Sequence, residues 1–192
     1  MNVRESLDTS PEPAGAMKTT AVSLTEPSPE AERFREAMSR IAATVHVVTT
    51  DGPAGRHGAT ATSVVSLTDQ PPTLVVCLNL SSLTHRLASA NGIVAVNALS
   101  ADQEPVARAF SRSSGGAPDD RFSHGDWAPL ITGAPVLAHA LAVFDGRIVS
   151  EIVVGTHAAM VVQLEAVRFA KGPTDGLSYH RRRYRPYSGA AG

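Results

Sequence analysis

The stretch "GATATSVVSLTDQPP", residues 58–72, sets five hydroxyl side chains, Thr60, Thr62, Ser63, Ser66 and Thr68, into residues that otherwise read as one β-strand over 58–68. At a period of two, Ala59, Ala61, Ser63, Val65 and Leu67 share one face, and Thr60, Thr62, Val64, Ser66 and Thr68 share the other. The first face is small and mostly apolar, as a core face should be, and the second is a row of donors and acceptors. Threonine is a good strand former, so a solvated sheet face accounts for the row by itself. Two neighbouring features point to a ligand instead. "NLSSLTHR", residues 79–86, places Asn79, Ser81, Ser82 and Thr84 at a strand-to-helix junction, where turn amides and a helix N-terminus attract anions. Gly58, Ala59 and Ala61 would let backbone amides approach a flat molecule closely.

Other catalytic apparatus is sparse. The seven histidines form no HxxxH, HExxH or HxH pair, so no metal site is expected. There is no GxSxG elbow, no P-loop and no GxGxxG after a strand. The acidic pair in "PDD", residues 118–120, lies in a Gly-rich loop where capping or solvation explains it. Cys77, the one cysteine, sits inside "TLVVCLNL" and reads as an inert buried thiol.

The elements that must position these groups read as mainly β with a few helices. The chain has 192 residues, 43% of them apolar and 18% charged, which suits one domain with a sizeable core. A net charge of −1 gives no reason to expect nucleic acid or an anionic membrane as partner. No run approaches a membrane span, and the start lacks the apolar core of a signal peptide, so a cytoplasmic protein is expected. Residues 1–27, rich in Ser, Thr, Pro and Glu, read as a disordered tail before a domain over 28–187. A first helix is expected from Ser28 as cap and Pro29 at its first position, with Phe34, Ala37, Met38 and Ile41 as its apolar stripe. Strands follow at 44–50, 73–80 and 93–100, with short helices near 83–92 and 101–111 and a long Gly/Pro loop after them. Two long β-runs come next, the first with a suspected break at Asp145–Gly146. Short turns between most strands predict a largely antiparallel barrel with covering helices rather than βαβ units.

"FREAMSRIAATVHVVTTDGPAGRHGATATSVVSLTDQPPTLVVCLN", then S-S-x-T, "VNALSADQE", "DRF" and "VGTH", resembles the flavin reductase family, whose fold is the antiparallel FMN-binding split β-barrel. The resemblance runs from about residue 32 to 184. It implies an NAD(P)H:flavin oxidoreductase using FMN or FAD and NADH or NADPH, a homodimer, and a flavin-dependent monooxygenase as the recipient of reduced flavin. Residue by residue it implies that Thr60, Ala61, Thr62 and Ser63 line the flavin ring. Ser81, Ser82 and Thr84, with Asn79 leading in, would hold the flavin phosphate, and Asn97 and Gln103 would make further flavin-side contacts. His157 matches a histidine near the nicotinamide and is the catalytic candidate, with Tyr184 an aromatic near the same pocket. The chain departs from many members in having Thr156 where they have Asp, and "MVV" where they have a glycine. A non-catalytic flavin-binding module is one rival. Another is an oxidoreductase of the pyridoxamine-phosphate-oxidase type with permanently bound flavin.

Overall fold

The computed structural model describes residues 28–111 and 118–188; the expected tail lies outside them. Ser28 caps helix α1 (Pro29–Ser39), its side chain accepting from Ala31 N at 3.2 Å, as its sequence predicts. The helix's apolar stripe is not buried in the single chain: Phe34, Met38 and Ile41 are all exposed. Strands β1 (Ala43–Thr44), β2 (His46–Thr50), β3 (His57–Ala61), β4 (Val64–Asp69) and β5 (Pro72–Asn79) follow. Next come α2 (Leu83–Asn91), β6 (Ile93–Ala98), α3 (Glu104–Ala109) and the small hairpin β7 (Trp127–Pro129) and β8 (Pro135–Leu137). Two long strands, β9 (Ala142–Val154) and β10 (His157–Phe169), lead to a C-terminal hairpin of β11 (Gly176–His180) and β12 (Arg183–Tyr187).

All strand pairs are antiparallel. The main sheet has the order β3-β2-β6-β9-β10-β5-β4. Its two outermost strands, β3 and β4, are consecutive in the chain and separated only by Thr62 and Ser63. Two residues span at most about 10 Å, so the sheet must curl until its edges meet. The result is a barrel closed at one junction, and the hydrogen bond from Cys77 N to Ser63 O at 2.9 Å anchors that junction to β5. The single hydroxyl-rich strand expected over 58–68 is therefore two strands, each pairing with a different neighbour.

The β-branched alternation of β2 and β6 fills both sides of the wall. Val48, Val94 and Val96 join Leu74, Val76, Met160 and Val162 inside the barrel. Val47, Ile93 and Ala95 pack outside it with Phe110, Val136 and Leu137. Each such large side chain contributes about 1.5–3 kcal/mol on burial. The suspected break at Asp145–Gly146 does not occur, and β9 runs through it. Asp145 is fully buried and accepts from the backbone N–H groups of Ile131 and Thr132 at 2.8 and 2.9 Å. Gly146 lies where a Cβ would collide with the carbonyl of Gln163 on the facing strand. No helix among the described residues is long and apolar enough to cross a membrane.

Candidate functional site

The closing junction leaves hydrogen-bonding groups open. On β3, the N–H of Thr60 points away from β2 and donates to Phe110 O at 3.0 Å, and its hydroxyl donates to Ala107 O at 2.6 Å. Both donors of Thr60 are thus spent on the α3 segment. One residue pair further on, the amides of Thr62 and Ser63 and both hydroxyls have no partner among the described residues, and both residues are exposed or nearly so. Gly58 is small for a different reason from the one its sequence suggests. A Cβ there would lie 2.8 Å from the Phe110 ring, so the missing side chain admits Phe110 rather than a ligand.

The segment after β5 forms a second open edge. The Asn79 side chain accepts from Ser81 N and Ser81 Oγ at 2.9 and 2.6 Å, shaping the turn into α2. Ser82 caps α2 by accepting from His85 N at 3.1 Å. Thr84 is buried, with its hydroxyl 2.8 Å from His57 Nδ1. Burial, and then the neighbouring Arg121 guanidinium, push the His57 pKa below its ordinary value, so the ring stays neutral beside Thr84. From β9, Glu151 takes hydrogen bonds from His85 Nε2 at 2.8 Å and Ser89 at 2.7 Å. Burial alone would raise its pKa, but the bonds from Ser89 and His85 hold it below the usual carboxylate range. The helix is pinned while its first-turn amides, those of Leu83 and Thr84, have no partner among the described residues. Such a helix start is suited to phosphate.

His157 opens β10 directly across from Asn79 in the sheet, exposed, its Nδ1 2.9 Å from the Thr156 hydroxyl. Threonine at 156 therefore still supplies a polar partner for the imidazole. From Ser63, beside Cys77 on β5, to Asn79 is two residues, about 7 Å along the strand. Thr62, Ser63, Asn79, Ser81, Ser82 and His157 consequently lie along one rim.

Thr60, Ala61, Thr62 and Tyr184 meet in a cleft of about 270 Å³, together with Val45, Ser111 and Tyr179. Tyr179, which the sequence did not single out, pairs directly with Tyr184 across the β11–β12 hairpin, their rings 5.1 Å apart. Burial, with Tyr179 adding to it, raises the Tyr184 pKa. The signal was present in "YHRRRY", two tyrosines symmetric about a two-residue turn, but the turn lacks the Asn-Gly that announces a hairpin.

Asn97 and Gln103 are not brought to either edge. Asn97 is fully buried, donating to Val47 O at 3.0 Å and accepting from Leu137 N at 2.8 Å. Gln103 is buried, accepting from Ser100 N at 3.1 Å and donating to Ala138 O at 3.0 Å. With Thr84, these side chains hold the frame, and their polarity is used by the chain itself.

A flavin fits what is left open: the amide and hydroxyl of Thr62 at a ring-sized cleft with those of Ser63 next to it, and helix amides without a partner among the described residues for a phosphate further along the rim. Comparison with known proteins agrees. The family described as "Flavin reductase like domain" matches residues 38–188. A protein of Methylorubrum extorquens named FMN reductase (NADH) RutF 1 is 48% identical over 168 residues, 84% of this chain and 82% of its own. That named FMN reductase (NADH) RutF from Ancylobacter novellus is 45% identical over 92% of both chains. Among solved structures, BorF, the flavin reductase component of a bacterial two-component tryptophan halogenase, superposes with a TM-score of 0.75 at 29% identity, over 82% of this chain and 98% of its own. From the barrel closure to the terminal hairpin, in sequence and in fold, this chain belongs to the flavin reductase-like family.

Proposed function

We propose that the chain is an NADH-dependent flavin reductase, with FMN as flavin, that delivers reduced flavin to a partner oxygenase. The observation that carries this reading is the rim itself. Among the described residues, nothing engages the amides and hydroxyls of Thr62 and Ser63 at one end or two amides of α2 at the other, and His157 stands beside Asn79 along it. The sequence relatives named as NADH-dependent FMN reductases support the choice of substrates. The flavin supplies the redox chemistry, taking hydride from the nicotinamide, and needs no acid–base triad from the protein. The amides and hydroxyls of Thr62 and Ser63 bind the polar edge of the ring and favour negative charge there. The Ser82 hydroxyl, which accepts from His85 N and donates to no described residue, and the first turn of α2 hold the phosphate, with Ser81 shaping the turn through Asn79, while Ala61 and Tyr184 fix the ring plane. His157, oriented by Thr156, positions the nicotinamide and lends its electrostatics; it is not cast as an obligatory acid.

The working form in this reading is a homodimer in the cytoplasm. Val149, Ile152, Val154, Val167 and Phe169 expose apolar surface on β9 and β10, which a second copy would cover. Sedimentation velocity would return twice the chain mass, and a monomer at micromolar concentration would end this part of the proposal. The activity is tested by anaerobic stopped-flow with NADH, with and without added FMN or FAD, following flavin bleaching. Many turnovers of added FMN are expected. Flavin that binds but stays oxidised would mean a binding module, and flavin that co-purifies and turns over without exchange would mean a prosthetic group.

A further inference from the structure

The ring cleft does not end at its tyrosines. Ser111, Tyr179 and Tyr184 are shared with a larger basin of about 710 Å³ whose other walls are Arg108, Arg182, Arg183 and Arg185. Two of these cations are compensated. Arg108 is ion-paired with Glu104, and it also lies 5.0 Å above the Tyr184 ring. Arg182 is paired with Glu36 at 3.1 Å. The guanidinium groups of Arg183 and Arg185 have no partner among the described residues. The basin thus carries net positive charge against a cleft shaped for a ring.

The turn that builds it is costly. Arg181 and Arg182 both have positive φ, 48° and 60°. That is the geometry of a two-residue hairpin turn that Asn-Gly would adopt with little strain. This turn places Arg183 and, two residues on, Arg185 on the strand that follows it, β12. The backbone is held on the other side by Arg181 N donating to Ser39 O at 2.6 Å, which docks the hairpin tip on the end of α1.

We infer that this basin is the subsite for the diphosphate of the nicotinamide dinucleotide, with Arg183 and Arg185 as its principal ligands and Arg108 linking it to the ring cleft. The inference rests on the proposed reductase activity for the identity of the ligand. The flavin phosphate has its own place at the open start of α2, so the second ring-plus-polyanion molecule of the reaction is the one left for the basin. Arginine forks suit a diphosphate, offering several N–H donors to oxygens that carry two charges. The residues are exposed, so their contribution is modest and salt-sensitive. It acts on nucleotide affinity rather than on hydride transfer.

The test compares NADH with N-benzyl-1,4-dihydronicotinamide, a hydride donor with no phosphate, in the full chain and in the double variant Arg183→Gln, Arg185→Gln. The ratio of kcat/KM for NADH to that for the phosphate-free donor is expected to fall roughly tenfold in the variant, through KM, which corresponds to ~1.4 kcal/mol. Added salt should raise the NADH KM more steeply in the parent than in the variant. Titration of NADH by its own fluorescence, in the absence of flavin, should show the same loss of affinity. An unchanged donor ratio in a variant of unchanged melting temperature overturns the subsite, as does a rise in KM for FMN in place of NADH. If NADH binds through these arginines but no flavin is reduced, the subsite stands and the reductase reading is lost.

Discussion

Asn97 on β6 and Ser63 at the barrel closure are both polar residues in β-rich sequence, and they end up in opposite circumstances. Asn97 is walled in, with its amide donating to Val47 O and its acceptor filled by Leu137 N. Ser63 is exposed, and beyond the carbonyl that receives Cys77 N it keeps its amide and hydroxyl unengaged among the described residues. The same contrast separates the Thr84 side chain, buried against His57, from the Leu83 and Thr84 amides that meet nothing among the described residues. What marks the site is therefore hydrogen-bonding capacity left over after folding, since polarity as such is spread across frame and site alike. A polar group that the chain has already satisfied contributes stability and has little to offer a ligand.

The largest effect should come from breaking the frame. Asn97→Leu strips Val47 O and Leu137 N of their partner in a buried place and should cost about 2–4 kcal/mol, lowering the melting temperature by roughly 5–15 °C. The KM for FMN in the folded fraction should stay where it was. A variant that melts normally but binds flavin poorly would put Asn97 in the site and undo the contrast.

His46, 8% exposed and lining the mouth of the barrel beside Thr62, tests the frame by pH. Burial outweighs its contacts with the Thr44 and Ala61 backbone and lowers its pKa to about 4 from an ordinary 6.5. The unfolded chain then binds the proton first as pH falls. The stability that the neutral ring permits is intact above pH 6.5, declines between about 6.5 and 4, and is flat below. The full span amounts to about 3 kcal/mol. Urea unfolding at pH 7.5 and 4.5 should show a larger loss for the parent than for His46→Gln; equal losses would mean that His46 does not titrate in this window.

The smallest effect on stability and the sharpest on the ligand should come from the rim. Ser63→Ala removes a hydroxyl that no described residue uses, so the melting point should move by no more than about 2 °C. The KM for flavin should rise about fivefold, the equivalent of one modest hydrogen bond. A stability loss without a change in KM would make Ser63 part of the frame after all.

The antiparallel β character and the capped strand-to-helix junction at α2 were legible in the sequence, because both rest on local pattern: β-branched runs, turn residues, a serine cap. The closure was not legible. Residues 61–64 read Ala-Thr-Ser-Val, with no glycine or proline to mark a break. The chain changes pairing partner there for reasons set by strands far away in sequence. Asp145–Gly146 is the reverse case. It resembles a turn, yet the aspartate serves the backbone at Ile131 and Thr132, and the glycine admits Gln163. Asn97 and Gln103 fell between: their positions in the family pattern were clear, but only the packing around them showed that their amides were already used.

The first and last staves of the barrel are chain neighbours with five other strands between them around the wall, so the chain itself joins the two edges from the start, and what folding must add is the distant pairing of β6 with β9 and of β10 with β5. Thr62, Ser63, Asn79 and the start of α2 lie within one short stretch of chain tied together by the β4–β5 hairpin, whereas His157 reaches Asn79 only when β10 docks on β5. Such long-range pairing is slow, and until it forms the rim lacks His157 and the ring cleft lacks Tyr179 and Tyr184. Acquisition of flavin affinity during refolding is thus a clock for completion of the barrel, and bound flavin, by favouring only the finished state, holds it shut.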